Sequence, residues 1–288
     1  MKISKNYNSF LRITLFQQCV GLCLFFSVFF NHFTIQGQRV QLERQIPSNG
    51  IYRLSMDRYQ HIYGISNTGA VVKLDSLGNQ LAIYSPPQNN DISLIEAWQA
   101  VKVFLFYEET QSFTLCDRFL GNCMSYNFPE TMGYVSMATL AADGSIWLFD
   151  QDDFAIKKYN IRTQQITLEN PINLLIDEPE FAVQYMREYQ NQLFILSEEH
   201  LYQFDLFGNL NTTKNRSVSS NWIGFLGNEL YYLDQNQLFC HALYQANTQT
   251  IQFAQAYTQV LWLNPTLFIG IHSEQKRLDW LRLLQIKD

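Results

Sequence analysis

A short apolar segment built around one aromatic residue recurs six times along this chain, and that repetition restricts the fold more than any other feature. The segments include HIYGIS, SIWLFD and QLFILS, and their aromatic residues follow one another at intervals of 41, 43, 47, 37 and 37 residues. These aromatic residues are Tyr63, Phe104, Trp147, Phe194, Tyr231 and Phe268. An apolar segment precedes and another follows each of them, and a weaker fourth segment follows most. Four short strands in a repeat of about 40 residues predict the blade of a β-propeller.

The second segment of each repeat is almost continuously apolar, which indicates what covers it. A strand with one wet face alternates apolar and polar residues, whereas a strand covered on both faces does not. Neighbouring blades cover both faces of a propeller blade, while the outer faces of a β-sandwich are wet. The pattern therefore favours the propeller, and the lack of a helical period excludes a helical solenoid.

The two ends of the repeat array are complementary. The sixth repeat lacks a fourth segment, and a spare segment, RVQLERQIP, precedes the first full repeat. We expect residues 40–46 to pair with residues 278–284 as the outer strand of the last blade, which closes the ring and covers a sheet edge. The sequence therefore predicts an all-β fold over residues 38–288, a six-bladed β-propeller of four-stranded antiparallel blades closed by an N-terminal strand.

The segments MDRYQHIYGIS, AADGSIWLFD and VVKLDSLGN resemble the six-bladed propeller superfamily of NHL-like and two-component-regulator-like repeats. Members of that superfamily have Asp, a turn, and Ile with an aromatic residue, then a strand that ends in Leu-Asp with Gly beyond. The first and third repeats match closely, whereas the turns before Leu230 and Leu267 lack the Asp-Gly pair. The resemblance implies a fold and no particular activity, because such propellers include binding modules, scaffolds and some enzymes.

The first 37 residues differ from the repeats. Lys2, Lys5 and Arg12 precede an apolar stretch and a short polar tail, and no acidic residue occurs before Glu43. This pattern predicts a secretory signal peptide, with an uncleaved membrane anchor over residues 13–30 as the alternative. Either one exports the propeller to the periplasm, the cell surface or the medium.

The charge and the cysteines of the remaining chain exclude two classes of protein. Without the first 37 residues the chain keeps 26 acidic and 17 basic residues, a net charge near −9. A nucleic-acid binder needs a basic face, so we expect no nucleic-acid partner. Three cysteines are too few for a disulfide scaffold. Cys116 and Cys123 flank the turn DRFLGN and are expected on adjacent strands, as a disulfide or as two reduced thiols.

No catalytic residues are predicted. Ser occurs in no G-x-S-x-G context, and no glycine-rich phosphate loop is present. Enzymes with the fold that the resemblance implies generally hold a metal in the central channel. The histidines after residue 37 are His61, His200, His241 and His272. They fall at different depths in different repeats, so we expect no metal and no cofactor. Glu96 is expected to line the channel in an ion pair with Arg53 or Arg187.

Acidic residues concentrate at one end of the repeats. In a propeller, the turns between second and third strands and the links between blades emerge on one face. The turns carry the candidate binding residues Glu108, Glu109, Asp150, Asp152, Asp153, Glu198, Glu199 and Asp234, together with Glu274. The links add Asp91, Glu130, Asp177, Glu178 and Glu180. These acids are interpreted as a docking face, with ordinary solvated turns as the alternative.

The best local cluster for a divalent cation is Asp150, Asp152 and Asp153. A Ca²⁺ site needs about six oxygens, which three acids in four residues supply only in part, so a protein partner is favoured. The leading hypothesis is an exported, monomeric, non-enzymatic propeller that binds a protein or an envelope component with a basic surface. A channel-metal hydrolase or lyase is the alternative, and a purely structural part of an envelope assembly is the third reading.

Overall fold

The computed structural model describes residues 38–87, 91–99, 101–215 and 220–285. These residues form six four-stranded antiparallel sheets that are arranged as the blades of a ring, which confirms the predicted fold class. The predicted signal or anchor segment, residues 1–37, lies outside the described residues. Within the described ranges, no helix has both the length and the apolar character that a membrane crossing requires.

The strands follow the repeats of the sequence. Strand β1 (Gln38–Pro47) precedes blade 1, which consists of β2 (Ile51–Met56), β3 (Ile62–Ser66), β4 (Val71–Leu74) and β5 (Gln80–Tyr84). Blade 2 consists of β6 (Leu94–Glu96), β7 (Lys102–Tyr107), β8 (Ser112–Asp117) and β9 (Cys123–Asn127). Blade 3 consists of β10 (Val135–Leu140), β11 (Ile146–Asp150), β12 (Ala155–Asn160) and β13 (Gln165–Pro171).

The other three blades have the same order of strands. Blade 4 consists of β14 (Tyr185–Tyr189), β15 (Gln192–Leu196), β16 (His200–Phe204) and β17 (Leu210–Asn215). Blade 5 consists of β18 (Gly224–Leu226), β19 (Glu229–Asp234), β20 (Gln237–Ala242) and β21 (Thr248–Gln252). Blade 6 consists of β22 (Gln259–Asn264), β23 (Leu267–His272), β24 (Arg277–Gln285) and β1.

Strand β1 closes the ring. It pairs with β24, so blade 6 takes its outer strand from the opposite end of the propeller sequence, as predicted. The guanidinium of Arg282 on β24 binds the carboxylate of Glu43 on β1. The backbone N–H of Ser48 donates to the carbonyl oxygen of Lys276 at 2.8 Å. This pairing covers the edge that β24 would otherwise expose.

Burial decreases toward the outer strand of a blade. Every residue of β3 and β11 is buried, whereas the residues of β5 and β13 are exposed or half-buried. The continuously apolar second segments therefore lie between neighbouring blades, as their composition predicts. Several of these contacts join aromatic rings of neighbouring blades, which bury large apolar areas.

The six repeated aromatic residues are all on second strands and at most 2% exposed. Five of them face the next blade in the ring; Trp147, for example, donates its indole N–H to Glu188 of blade 4 at 2.6 Å. Phe268 differs, because it packs with Tyr231 of the preceding blade while its neighbour Ile269 packs against blade 1. A shift of one residue reverses the faces of a strand, so the last repeat is offset by one residue from the aromatic spacing.

The two cysteines of blade 2 face each other. Cys116 on β8 and Cys123 on β9 are register partners with Cα atoms 3.9 Å apart, and a disulfide joins them. Of the two alternatives that the sequence leaves open, the structure therefore contains the bonded one. Cys240 is buried on β20 outside any disulfide, and its burial raises the pKa of the thiol to about 12.

Candidate functional site

The acidic turns emerge at one end of the blades, because antiparallel strands reverse direction at every turn. The β7–β8 turn carries Glu108 and Glu109, and the corresponding turn of blade 4 carries Glu198 and Glu199. The links between blades emerge at the same end, since each begins where an outer strand finishes. Tyr134, in the link from blade 2 to blade 3, connects two of these turns. Its hydroxyl donates to Glu108 at 3.1 Å, and its N–H donates to Asp152 at 2.9 Å. We call this surface the acidic face.

Most of the carboxylates assigned to the acidic face are exposed on it. The exposed residues are Asp91, Glu109, Glu130, Asp152, Asp153, Asp177, Glu180, Glu198, Glu199 and Glu274. Glu108 and Asp234 are half-buried. Two residues differ from the sequence prediction, because Asp150 and Glu178 are buried. Within the described residues the surface therefore presents ten exposed carboxylates from separate turns and links.

Exposed apolar side chains lie among these acids. Leu174 and Leu175 occupy the link between β13 and β14 and are 92% and 42% exposed. Tyr134 and Tyr52, which lie at the starts of inner strands, are 40% and 46% exposed. Sequence analysis missed these residues, since an apolar pair in a link resembles a strand fragment. Large apolar groups surrounded by charges are the usual composition of a docking surface.

Asp150 has a structural role instead of a surface one. Its side chain is fully buried, with the Nζ atom of Lys157 at 2.7 Å. Lys157 also binds the exposed carboxylate of Asp153. Although burial acts to lower the pKa of Lys157, its hydrogen bonds to Asp150 and Asp153 raise that pKa overall. The Asp150 carboxylate also accepts the backbone N–H of Asp152 at 2.9 Å. The acids of this turn are therefore committed to Lys157, to the turn and to Tyr134.

Gly133 makes room for this buried carboxylate. It lies in the link before β10 with φ of 74°, and a Cβ atom there would stand 2.4 Å from the Oδ1 atom of Asp150. A side chain at this position would thus clash with Asp150 and strain the backbone. The link before β10 can pack closely against the turn after β11 because Gly133 has no side chain.

A second buried carboxylate, Glu178, organises the corresponding part of blade 4. It accepts the hydroxyl protons of Ser197 at 2.7 Å and Tyr202 at 3.0 Å, and the N–H of Glu199 at 3.2 Å. The Nδ1 atom of His200 is 3.3 Å away. Burial, followed by Glu178, raises the pKa of Tyr202. Within the described ranges, Glu178, Glu199 and His200 are the one group of acids and histidines compact enough to hold a metal ion.

The inner-strand charges bind neighbouring blades. Glu96 accepts from the hydroxyl of Thr139 at 2.7 Å and from the N–H of Leu140 at 3.0 Å. Burial raises the pKa of Glu96, and the charge of Arg187 opposes that rise. Arg187 lies over three aromatic rings of the inner strands and their turns, with its guanidinium carbon 5.3 Å from the ring centre of Phe225.

The ion pair expected at Glu96 is absent from the salt bridges of the described residues. Arg53 donates to the carbonyl oxygen of Ser93 at 2.7 Å instead. Glu188 follows the pattern of Glu96 and accepts from the N–H of Ala142 at 3.0 Å as well as from Trp147. Glu96 thus joins blade 2 to blade 3, and Glu188 joins blade 4 to blade 3.

The four histidines are dispersed, as their depths predict. The Nδ1 atom of His61 is 3.0 Å from Asp57 on the face opposite the acidic face. His241 contacts the hydroxyls of Tyr232 and Thr248, both at 2.9 Å. His272 is buried at the end of β23, against the ring of Tyr257. Together with His200 beside Glu178, these contacts involve four different blades and four different sets of neighbours.

Comparison with known proteins gives the fold and no family. No family model and no curated protein matches the chain by sequence. Virginiamycin B lyase from Staphylococcus aureus superposes with a TM-score of 0.56 at 11% identity, over 86% of this chain and 100% of that one. BamB from Moraxella catarrhalis superposes with a TM-score of 0.52 at 11% identity, over 87% and 99%. The extracellular domain of a putative hybrid two component system from B. thetaiotaomicron superposes with a TM-score of 0.52 at 13% identity, over 80% of this chain and 33% of that one. At such identities the likeness extends to the propeller fold alone.

Proposed function

We propose that this chain is an exported, non-enzymatic β-propeller that binds a protein or an envelope component with a basic surface through its acidic face. The observation that carries the proposal is the collection of ten exposed carboxylates on one end of the ring. The ten carboxylates outnumber the exposed basic residues of that end, which include Lys214 and Lys276. A surface of net negative charge raises the rate of encounter with a positively charged partner. Salt weakens this attraction over a Debye length of about 8 Å at physiological ionic strength.

The exposed apolar residues of the acidic face can contribute binding energy that charge attraction alone does not provide. Binding energy at protein interfaces concentrates in a few large side chains that become fully desolvated. Leu174, which is 92% exposed, and Tyr134 are suited to this role. The partner is therefore expected to present basic residues around an apolar centre.

Two features support export. The apolar N-terminal segment is typical of a secretory signal, and a disulfide such as Cys116–Cys123 is typical of an oxidising compartment. The fold neighbours include an extracellular domain, which agrees with this assignment.

The alternative is a channel-metal hydrolase or lyase, and a lyase is among the fold neighbours. Such an enzyme needs ligands that converge on the channel. The inner-strand carboxylates Glu96 and Glu188 already accept hydrogen bonds from neighbouring blades, which favours a binding module over this alternative. A structural role in an envelope assembly differs from the leading proposal only in whether the partner is permanent.

The experiment compares two triple variants of the full chain. In Glu109→Gln, Glu198→Gln, Glu199→Gln, the acidic face loses three exposed charges while Asp150 and Glu178 are kept. The matched control Asp143→Asn, Asp205→Asn, Glu229→Gln removes three charges from turns at the opposite end of the ring. Each variant is immobilised, and capture of an oligolysine peptide and of envelope proteins is measured at low and high salt.

We expect the acidic-face variant to lose about tenfold in capture at low salt, and the control to retain it. The parent should lose the same capture at high salt. Capture that is equal in all three proteins and indifferent to salt would contradict the proposal and leave the acids as ordinary solvated turns.

A further inference from the structure

Blades 1 and 2 meet, on the face opposite the acidic face, at a cluster of arginine and aromatic side chains. Arg58 and Tyr59 lie in the turn between β2 and β3, and Arg118 and Phe119 lie in the turn between β8 and β9. Tyr59 is 50% exposed and Phe119 is 62% exposed. We call these four residues the arginine–aromatic cluster.

The aromatic rings hold the guanidinium groups. The guanidinium carbons of Arg58 and Arg118 lie 5.3 Å and 5.6 Å from the ring centre of Tyr59. Arg118 also lies 4.6 Å from the ring centre of Phe119. The Nη2 atom of Arg58 also donates to the Tyr59 hydroxyl at 3.4 Å, which leaves four of its five N–H donors for a ligand. Lys73 adds a third cation, with its Nζ atom 5.4 Å from the ring centre of Phe119.

The nearby carboxylates are occupied by other donors. Asp57 accepts the N–H groups of Tyr59 and His61 on one oxygen, and the His61 ring and the Tyr63 hydroxyl on the other. These four contacts use all the lone-pair sites of a carboxylate. Asp117 accepts two backbone N–H groups of its own turn and the side chain of Asn122. Within the described residues, neither Arg58 nor Arg118 has a carboxylate within ion-pair distance.

We propose that the arginine–aromatic cluster binds the oxyanion of a phosphate group. Two guanidinium forks that are positioned by rings, carry free N–H donors and have no internal counter-ion match the geometry of a tetrahedral oxyanion. The acids of the exported chain are gathered mainly on the other face. At the cluster, the three cations Arg58, Arg118 and Lys73 outnumber the two neighbouring carboxylates, Asp57 and Asp117, so the local charge is positive. The hydrogen bond from Arg58, followed by the charges of Arg58 and Arg118, lowers the pKa of the Tyr59 phenol. The phosphate comes either from a soluble compound or from the headgroup of a lipid.

The test uses the full chain and two matched double variants. Arg58→Gln with Arg118→Gln removes both forks, and Arg44→Gln with Arg162→Gln removes two exposed arginines elsewhere. Binding of inorganic phosphate is measured by calorimetry. Binding to vesicles of phosphatidylglycerol is measured against vesicles of phosphatidylcholine. Phosphate binding alone identifies a soluble source, and binding confined to phosphatidylglycerol identifies a lipid headgroup.

We expect the cluster variant to bind about tenfold more weakly than the parent, while the control binds like the parent. Arg58→Lys with Arg118→Lys should also weaken binding, because lysine keeps the charge and loses the fork. A parent that binds neither probe, or a control that loses as much as the cluster variant, overturns the proposal.

A second measurement does not depend on a variant at either arginine. Phosphate on the cluster should raise the pKa of the Tyr59 phenol toward its ordinary value, because it competes for the Arg58 donor that the phenol accepts and neutralises the charges of Arg58 and Arg118. Absorbance titrations of the parent and of Tyr59→Phe, with and without phosphate, isolate this one phenol. An unchanged Tyr59 titration in the presence of phosphate overturns the proposal.

Discussion

Blades 3 and 4 each bury one carboxylate at the acidic face, yet the two carboxylates come from different parts of the repeat. In blade 3 the acid is Asp150, at the end of the second strand. The equivalent position in blade 4 is Ser197, and the buried acid is Glu178 of the preceding link. Asp150 accepts the N–H of Asp152, and Glu178 accepts the N–H of Glu199, so both carboxylates satisfy the backbone of the following turn.

The difference shows that the fold requires an acceptor at this place and leaves open which segment supplies it. Buried backbone N–H groups must be satisfied. Where the turn provides the carboxylate, the link has a glycine, Gly133, because a side chain at this position would clash with the carboxylate. Where the link provides the carboxylate, the turn has the small residue Ser197. The two blades also differ in what the buried carboxylate contacts, which is the ammonium group of Lys157 in blade 3, and the hydroxyls of Ser197 and Tyr202 with the ring of His200 in blade 4.

The largest expected loss of stability comes from removing the lysine that pairs with the buried carboxylate of blade 3. Lys157→Met leaves Asp150 buried without its cation, so we expect the free energy of unfolding to fall by about 3–5 kcal/mol. Lys158→Met is the control, because its partner Asp143 is 56% exposed and stays solvated without the lysine. The loss should be about 1–2 kcal/mol, including the contact of Lys158 with the Trp147 ring. Urea denaturation of both variants measures the difference. Equal effects would mean that the buried pair contributes no more than a surface pair.

The next effect tests the fit between link and turn. Gly133→Ala places a methyl group against Asp150 at a residue with positive φ, and we expect a loss of about 1–3 kcal/mol in the free energy of unfolding. Gly144 also has a positive φ, but a Cβ atom there meets nothing within 4 Å. Gly144→Ala therefore measures the backbone strain alone. If the two variants have the same stability, the contact with Asp150 is not a constraint.

A smaller effect is expected in blade 4. Glu178→Gln keeps an acceptor for Ser197 and Tyr202 but removes the charge, so we expect a loss of about 1–2 kcal/mol. Glu180→Gln, at an exposed position in the same link, should change stability by at most about 0.5 kcal/mol. Thermal unfolding of both variants distinguishes these outcomes. A loss as large as that of Lys157→Met would erase the contrast between the two blades.

The smallest effect is a dependence on pH. Burial and then Glu178 raise the pKa of Tyr202 in the folded state. The stability linked to this phenol is therefore complete below its unfolded pKa of about 10 and is lost as the pH rises above that value. Tyr202→Phe should make the alkaline decline in unfolding free energy shallower than in the parent. Identical slopes in the two proteins would contradict the assigned pKa shift.

The buried pair of blade 3 illustrates how far the sequence predicts the site. The stretch FDQDDFAIKKYN places a lysine four residues after Asp153, a spacing that brings the two side chains together across a tight turn. Nothing in it separates Asp150 from Asp152, because three acids in four residues look alike in sequence. The roles of Gly133 and Glu178 are harder still to predict from sequence, since each residue contacts a turn that lies many residues further along the chain.

The sequence by itself determined the number of blades, the order of strands and the closure by β1. Those features follow from local periodicity, because a strand covered on both faces must be apolar throughout and a missing outer strand must be supplied from elsewhere. Tertiary structure alone decided which acids are exposed, which face Phe268 occupies, and that Arg58 and Arg118 meet over Tyr59. Each of these depends on contacts between different blades or different turns. Burial and charge pairing are set by such neighbours in space, which the order of residues along one strand does not specify.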